Sequence, residues 1–219
     1  MPLIVQRADQ HSPPDTSSRP GPARKFVLVN EPDDVDRIWL LSVRHTGTHY
    51  MYEFLRLCGY DLCSVHWRNM TQKNVTGQHQ LIHSHIEIGR WWESYLTTER
   101  VVIPVRNPVE VFKTHVYRYA WDADEYVPYV LSAFSDLEDI VERHDVILFR
   151  VDAPDQRAEF RSLARYLDCP DAEFVGQPTD IGTDRPNAVT TAEGFTADQA
   201  EMFHNPPADI WELSRRFGY

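Results

Sequence analysis

Residues 39–59, "WLLSVRHTGTHYMYEFLRLCG", run from an apolar stretch through two basic residues and a polar turn into an amphipathic segment. Arg44, His45, Thr46, Gly47 and Thr48 are residue types that can hold an anion. In a strand–turn–helix order, N–H groups at the helix start point outward and the helix dipole favours negative charge. Gly47 permits close backbone approach, the threonine hydroxyls are donors, and Arg44 and His45 bring positive charge. The purely structural reading is a capped helix start flanked by two solvated basic residues, and this stretch alone does not decide between them. The GxxxxGK[ST] loop of ATP and GTP users is absent.

A second pair lies in "VVIPVRNPVEVFKTHVYRY", residues 101–119. Arg106 ends an apolar run and Thr114 follows eight residues later. With Asn107 as cap and Pro108 as first helical residue, Thr114 falls about two turns into a helix, off its apolar stripe. A guanidinium fork and a hydroxyl there suit a second phosphate; the alternative is an Arg106–Glu110 pair. Between these elements stands His83-Ser84-His85. Residues two apart in a strand share a face, so both rings can line one cleft. They can equally be edge-strand residues or, with His79, metal ligands, although no carboxylate follows at a known ligand spacing. Cys58, Cys63 and His66 likewise lack a fourth ligand, so free thiols are expected.

These residues need a scaffold. "IWLLSV" (38–43), "HQLIHSH" (79–85), "RVVIPV" (100–105) and "DVILFR" (145–150) read as strands. Met51, Phe54, Leu55 and Cys58 mark one helix face, ended by Gly59; Val109, Phe112, Val116 and Tyr119 mark a second. Phe160, Leu163, Ala164 and Leu167 line a third, and Ile210, Leu213 and Phe217 a last one. Buried strands alternating with helices predict an α/β domain on a parallel sheet. Residues 121–144 show no clean period and are expected as helices near the substrate mouth. Residues 176–206 are expected to be a loop-rich lid.

The chain has 219 residues, 42% hydrophobic and 25% charged, enough for one domain with a sizeable core. Residues 1–36 are expected to be a flexible arm with one short strand at Phe26–Val29, and 37–219 a single domain. A net charge of −11 argues against a nucleic-acid partner or an anionic membrane surface. No apolar run approaches the ~20 residues of a membrane span, and the N-terminus lacks a signal-peptide pattern. A cytoplasmic location is the expectation.

Strand–[K/R][ST]GT–helix, followed by strand–V-x-R-[ND]-P–helix with Ser or Thr eight residues past the arginine, resembles the sulfotransferase family, which uses 3′-phosphoadenosine 5′-phosphosulfate (PAPS). The resemblance implies a three-layer α/β/α, P-loop-like sulfotransferase fold and PAPS as co-substrate, with PAP as product and no metal. It implies that Arg44, His45, Thr46, Gly47, Thr48 and His49 hold the 5′-phosphosulfate and that Arg106 and Thr114 hold the 3′-phosphate. Tyr50 falls where members carry an aromatic residue against the adenine. "IHSHI" matches the strand bearing the catalytic base, which implies His85 as that base, 21 residues before Arg106. Glu87 is the runner-up. The tail, "VILFRVDAPDQRAEFRSLARYLDCP" to "IWELSRRFGY", resembles the family more loosely.

Two departures stand out. His45 occupies the place of a family lysine or arginine, so either His45 or Arg44 assists the leaving phosphate; a cationic His45 would give a bell-shaped pH profile. The R-K-G-x-x-G-x-W segment is absent, and Arg185 is the only arginine or lysine in 176–206. The expected acceptor is a small molecule or glycan with a hydroxyl or amine; the acidic chain disfavours a polyanionic glycosaminoglycan. "WWESYL" (91–96) and "YRYAWDADEYVPY" (117–129) are candidates to line its cleft, or core. The rivals are a small-molecule kinase, which needs a Walker lysine and Mg ligands not found here, and a non-catalytic anion- or nucleotide-binding module.

Overall fold

A computed structural model describes residues 36–64, 79–86, 100–119, 123–172 and 194–219. The expected arm before Asp36, the strand at Phe26–Val29, His66, Glu87, "WWESYL" and Arg185 lie outside the described residues.

Three central strands and two short edges form the sheet: β1 (Asp36–Ser42), β2 (Asp61–Ser64), β3 (His79–His85), β4 (Arg100–Val105) and β5 (Ile147–Arg150). All pairings are parallel, in the order β2-β3-β1-β4-β5. Six helices complete the described chain: α1 (Thr48–Leu57), α2 (Pro108–Arg118), α3 (Ala123–Arg143), α4 (Gln156–Tyr166), α5 (Ala197–His204) and α6 (Ala208–Arg216). None is long and apolar enough to cross a membrane.

The alternation of β1 explains the layers. Trp39 and Leu41 point into a core shared with Phe112 and Val116 of α2, Phe134 and Leu137 of α3, Phe203 of α5 and Ile210 of α6. Ile38 and Leu40 point the other way, onto Met51 and Phe54 of α1 and Phe160 and Leu163 of α4. Each such side chain contributes roughly 1.5–3 kcal/mol relative to exposure, so both faces are held independently. The result is the expected three-layer α/β/α arrangement. Central β1 has β3 on one side and β4 on the other. The connections therefore diverge at its carboxyl end, opening the crevice where parallel α/β sheets receive ligands.

Three expectations need correction. The short edge strand β2 was not foreseen: "DLCS" has neither an apolar run nor a β-branched residue. Residues 123–143 are one helix; Tyr126, Val130, Ala133, Phe134, Leu137 and Ile140 recur at helical spacing and are buried. Exposed acids and Pro128, which sits in the helix near its start, obscured that period. This helix packs the core, so the aromatic Tyr126 is a core residue. Lastly, the end of the expected 176–206 lid is helix α5. A reciprocal capping box between Thr196 and Gln199 starts it. Its Phe203 is buried against the sheet's first core.

Candidate functional site

The turn after β1 is built by two residues in left-handed conformation, His45 (φ 68°) and Gly47 (φ 98°). A Cβ on Gly47 would also lie 2.9 Å from the Val151 methyl groups, so glycine is required twice over, by backbone angle and by packing. Gly47 caps α1 without a side-chain bond, and the first turn of α1 holds no acidic residue. The N–H groups at a helix start have no acceptor within the helix, so this terminus favours an anion. The threonine hydroxyls do not add to it as expected. Thr46 Oγ1 donates to the Val43 carbonyl at 2.8 Å, and Thr48 Oγ1 donates to Ser42 Oγ at 2.9 Å. They stiffen the turn.

His45 departs from a cationic role. Its ring meets the His115 ring edge-on at 4.6 Å, and Nε2 lies 3.2 Å from the Tyr119 hydroxyl. Burial, then the charges of His115, Arg118, His85 and Arg44, hold its pKa well below the ordinary histidine value. These influences favour the neutral ring in the absence of ligand; the bell-shaped expectation concerns the ring beside a bound phosphate. Arg44, partly exposed at the turn, is its cation. His49, exposed on the first turn of α1, has its ring against Tyr52 at 5.5 Å.

Arg106 and Thr114 come together as the eight-residue spacing implied. Asn107 caps α2, accepting from the Val109 N–H at 2.9 Å, and Pro108 opens the helix. That geometry turns Thr114 toward the strand end, where Arg106 Nη1 lies 3.4 Å from Thr114 Oγ1. The same nitrogen lies 3.4 Å from the His45 carbonyl, so one guanidinium reaches both the turn after β1 and α2. Glu110 is also within reach, with Nη2 to Oε2 at 4.0 Å. Burial lowers the Arg106 pKa, and Glu110 and Asp152 work against that shift.

At the end of β3, the register sets His85 beside Ser42. His83 and His85 share a face and their rings meet edge-on at 4.6 Å. Ser42 Oγ lies 3.0 Å from His83 Nε2 and 3.2 Å from His85 Nδ1. His83 is buried and His85 is half-buried. His79 is not part of this group; it pairs with Asp36 at the opposite end of the same strands. Among the described residues no three His, Cys, Asp or Glu side chains gather as metal ligands.

Tyr50 does not join the site. Its ring is 3% exposed, set against Phe149 and Phe160 in the second core, and its hydroxyl donates to Gln156 Oε1 at 2.9 Å. A residue at the third position of α1 faces the sheet, and that places it in the core. Sequence reading did not single out Ser42, whose side chain meets both histidines; its signal was a polar residue directly after the apolar run 38–41.

No protein-family model matches the chain, and no curated protein matches it either. Among solved structures, the chain is similar to mouse sulfotransferase SULT7A1 complexed with PAP. That match has 14% identity and a TM-score of 0.47, over 83% of this chain and 82% of that one. It is also similar to the sulfotransferase domain of the olefin synthase from Synechococcus PCC 7002. There the identity is 13% and the TM-score 0.47, over 87% of this chain and 98% of that domain.

Proposed function

We propose that this chain is a sulfotransferase that moves a sulfuryl group from PAPS to a hydroxyl or amine of a small-molecule or glycan acceptor. The observation that carries this reading is the Arg106 guanidinium lying between the turn after β1 and Thr114. It makes two anion-binding elements, distant in sequence, into one site for a ligand with two separated anionic groups. The resemblance of "RHTGTHY" and "VRNP" to family motifs assigns the 5′-phosphosulfate to the turn and the 3′-phosphate to Arg106 and Thr114.

Sulfuryl transfer resembles phosphoryl transfer, with a loose in-line transition state and charge building on the leaving oxygen. The protein's tasks are then alignment and charge stabilisation. Arg44 and the start of α1 stabilise the leaving oxygen; His45, neutral, shapes the turn. His85 takes the acceptor's proton. Tyr50 has no role at the adenine in this reading. The net charge of −11 makes a polyanionic acceptor unfavourable.

The test is incubation with PAPS and pooled acceptors, read by mass spectrometry. Gain of one SO₃ group by an acceptor, with release of PAP, is expected and should vanish in His85→Ala. Stabilisation against heat by ATP or GTP but not PAP, with no sulfated product, would point to the kinase class instead.

A further inference from the structure

We propose that Ser42 is a positioning residue that fixes the tautomer of His85, keeping the proton on Nδ1 and leaving Nε2 to receive the acceptor's proton. The proposal rests on His85 as the base of the reaction proposed above.

The hydrogen-bond arithmetic around Ser42 decides the tautomer. Ser42 Oγ receives the Thr48 hydroxyl proton at 2.9 Å. It then has one proton of its own and two histidine nitrogens to satisfy, His83 Nε2 at 3.0 Å and His85 Nδ1 at 3.2 Å. One of those contacts must be Ser42 donating and the other Ser42 accepting, since a neutral imidazole offers one N–H and one lone pair. The Ser42 backbone carbonyl breaks the tie. It lies 3.3 Å from His85 Nδ1 and can only accept. A bare Nδ1 would set its lone pair against that oxygen, whereas an Nδ1–H donates to both the carbonyl and Oγ. The Ser42 proton is left for His83 Nε2. Every distance is then used with the right polarity: Thr48 to Ser42, Ser42 to His83, and His85 to Ser42.

The consequence for a base is specific. Which ring nitrogen titrates is set by the bond the other one makes. With Nδ1–H held from within the sheet, the lone pair of the neutral ring lies on Nε2. Ser42 closes β1 and Thr48 opens α1 across the turn, so the element assigned to the phosphosulfate and the base share one hydrogen-bonded chain. His83, buried and touched by the Tyr52 ring at 5.3 Å, serves as the fixed wall of that chain.

The experiment is long-range ¹H–¹⁵N correlation of ring nitrogens in the full chain, at a pH where the rings are neutral. His85→Gln and His83→Gln assign the signals. His85 should show a protonated Nδ1 and a lone-pair Nε2 without any ligand. Ser42→Ala removes one of two acceptors and should let the Nε2–H form of His85 appear. It should also lower kcat ~tenfold with little change in KM for PAPS, since one neutral hydrogen bond is lost. Ser42→Thr keeps the oxygen and should restore both readouts. His85 protonated on Nε2 in the unaltered chain overturns the proposal, as does an unchanged tautomer in a folded Ser42→Ala. A protein showing the Nδ1–H form yet transferring no sulfuryl group would overturn the sulfotransferase reading and leave the tautomer assignment standing.

Discussion

The two ends of the parallel sheet are made by the same strands and hold opposite kinds of chemistry. At the amino end, Asp36 of β1 accepts from Tyr60 at 2.6 Å, from His79 of β3 at 3.2 Å, and from Arg100 of β4. Burial pushes the Asp36 carboxyl up, but the bonds from Tyr60, Arg100 and His79 outweigh it and bring its pKa below the ordinary value. In that cluster a carboxylate meets a guanidinium, a phenol and an imidazole. At the carboxyl end, β1, β3 and the start of α1 instead contribute a hydrogen-bonded chain of Thr48, Ser42, His83 and His85. Cationic Arg44 and Arg106 flank it, beside a helix start with no acid in its first turn. The difference teaches that β3's two terminal histidines cannot be read by type. His79 meets a carboxylate and His85 meets a serine, which is the setting the proposed base requires.

The largest expected effect separates those histidines. His85→Ala should leave PAP binding intact and lower kcat by ~10²–10⁴-fold, the usual worth of a positioned base. His79→Ala should leave kcat unchanged. An active His85→Ala beside a dead Glu87→Gln would move the base to the runner-up residue. Next in size are the arginines. Arg106→Ala should weaken PAP binding roughly ten- to hundredfold, the loss of a charge-assisted contact, whereas Arg100→Ala should not. Calorimetry on both variants checks this; equal losses would erase the distinction between the two ends.

The buried rings behind the turn supply a pH signature. Burial, and the charges of Arg44 and Arg118, push His115 down to about 4, and burial with its cationic neighbours pushes His45 down as well. Both bind protons more readily when unfolded. Their contribution to stability is therefore complete above the ordinary histidine value near 6.5 and is lost as pH falls toward 4. Urea midpoints measured across that range should drop with acid, and less so in His115→Phe. If His85 is the base, the pH–rate profile should show an acid limb from His85 and no alkaline limb from His45. Arg44→Ala should thus cost more activity than His45→Ala; the reverse ranking would return the charge to His45. The smallest effect is at the amino end. Asp36→Asn should lower stability by about 1 kcal/mol, because the cluster is partly exposed, with PAP affinity unchanged.

Much of this was legible in the sequence where a residue's role is local. The eight-residue spacing of Arg106 and Thr114 survives because an Asn-Pro cap fixes the helix start and hence its phase. The paired faces of His83 and His85 follow from strand period alone. Legibility failed where tertiary contacts decide. The family resemblance placed Tyr50 near a ligand, but the side of α1 that meets the sheet buries it against Phe149 and Phe160. It left the charge open between Arg44 and His45, but burial, and then His115 and Arg118 some seventy residues away, disfavour a cationic His45. The hydroxyls of Thr46 and Thr48 looked like ligand donors until their partners, Val43 and Ser42, were visible. Ser42 itself reads as a strand end until its neighbour strand is known.

The most direct measurement of the central claim is calorimetric titration of the unaltered chain with PAP and with adenosine 5′-phosphosulfate. The latter carries the phosphosulfate but lacks the 3′-phosphate assigned to Arg106 and Thr114. The account predicts that PAP binds and that adenosine 5′-phosphosulfate binds ~10- to 100-fold more weakly, the worth of a charge-assisted contact. Equal affinity for the two, or no binding of PAP, would contradict it.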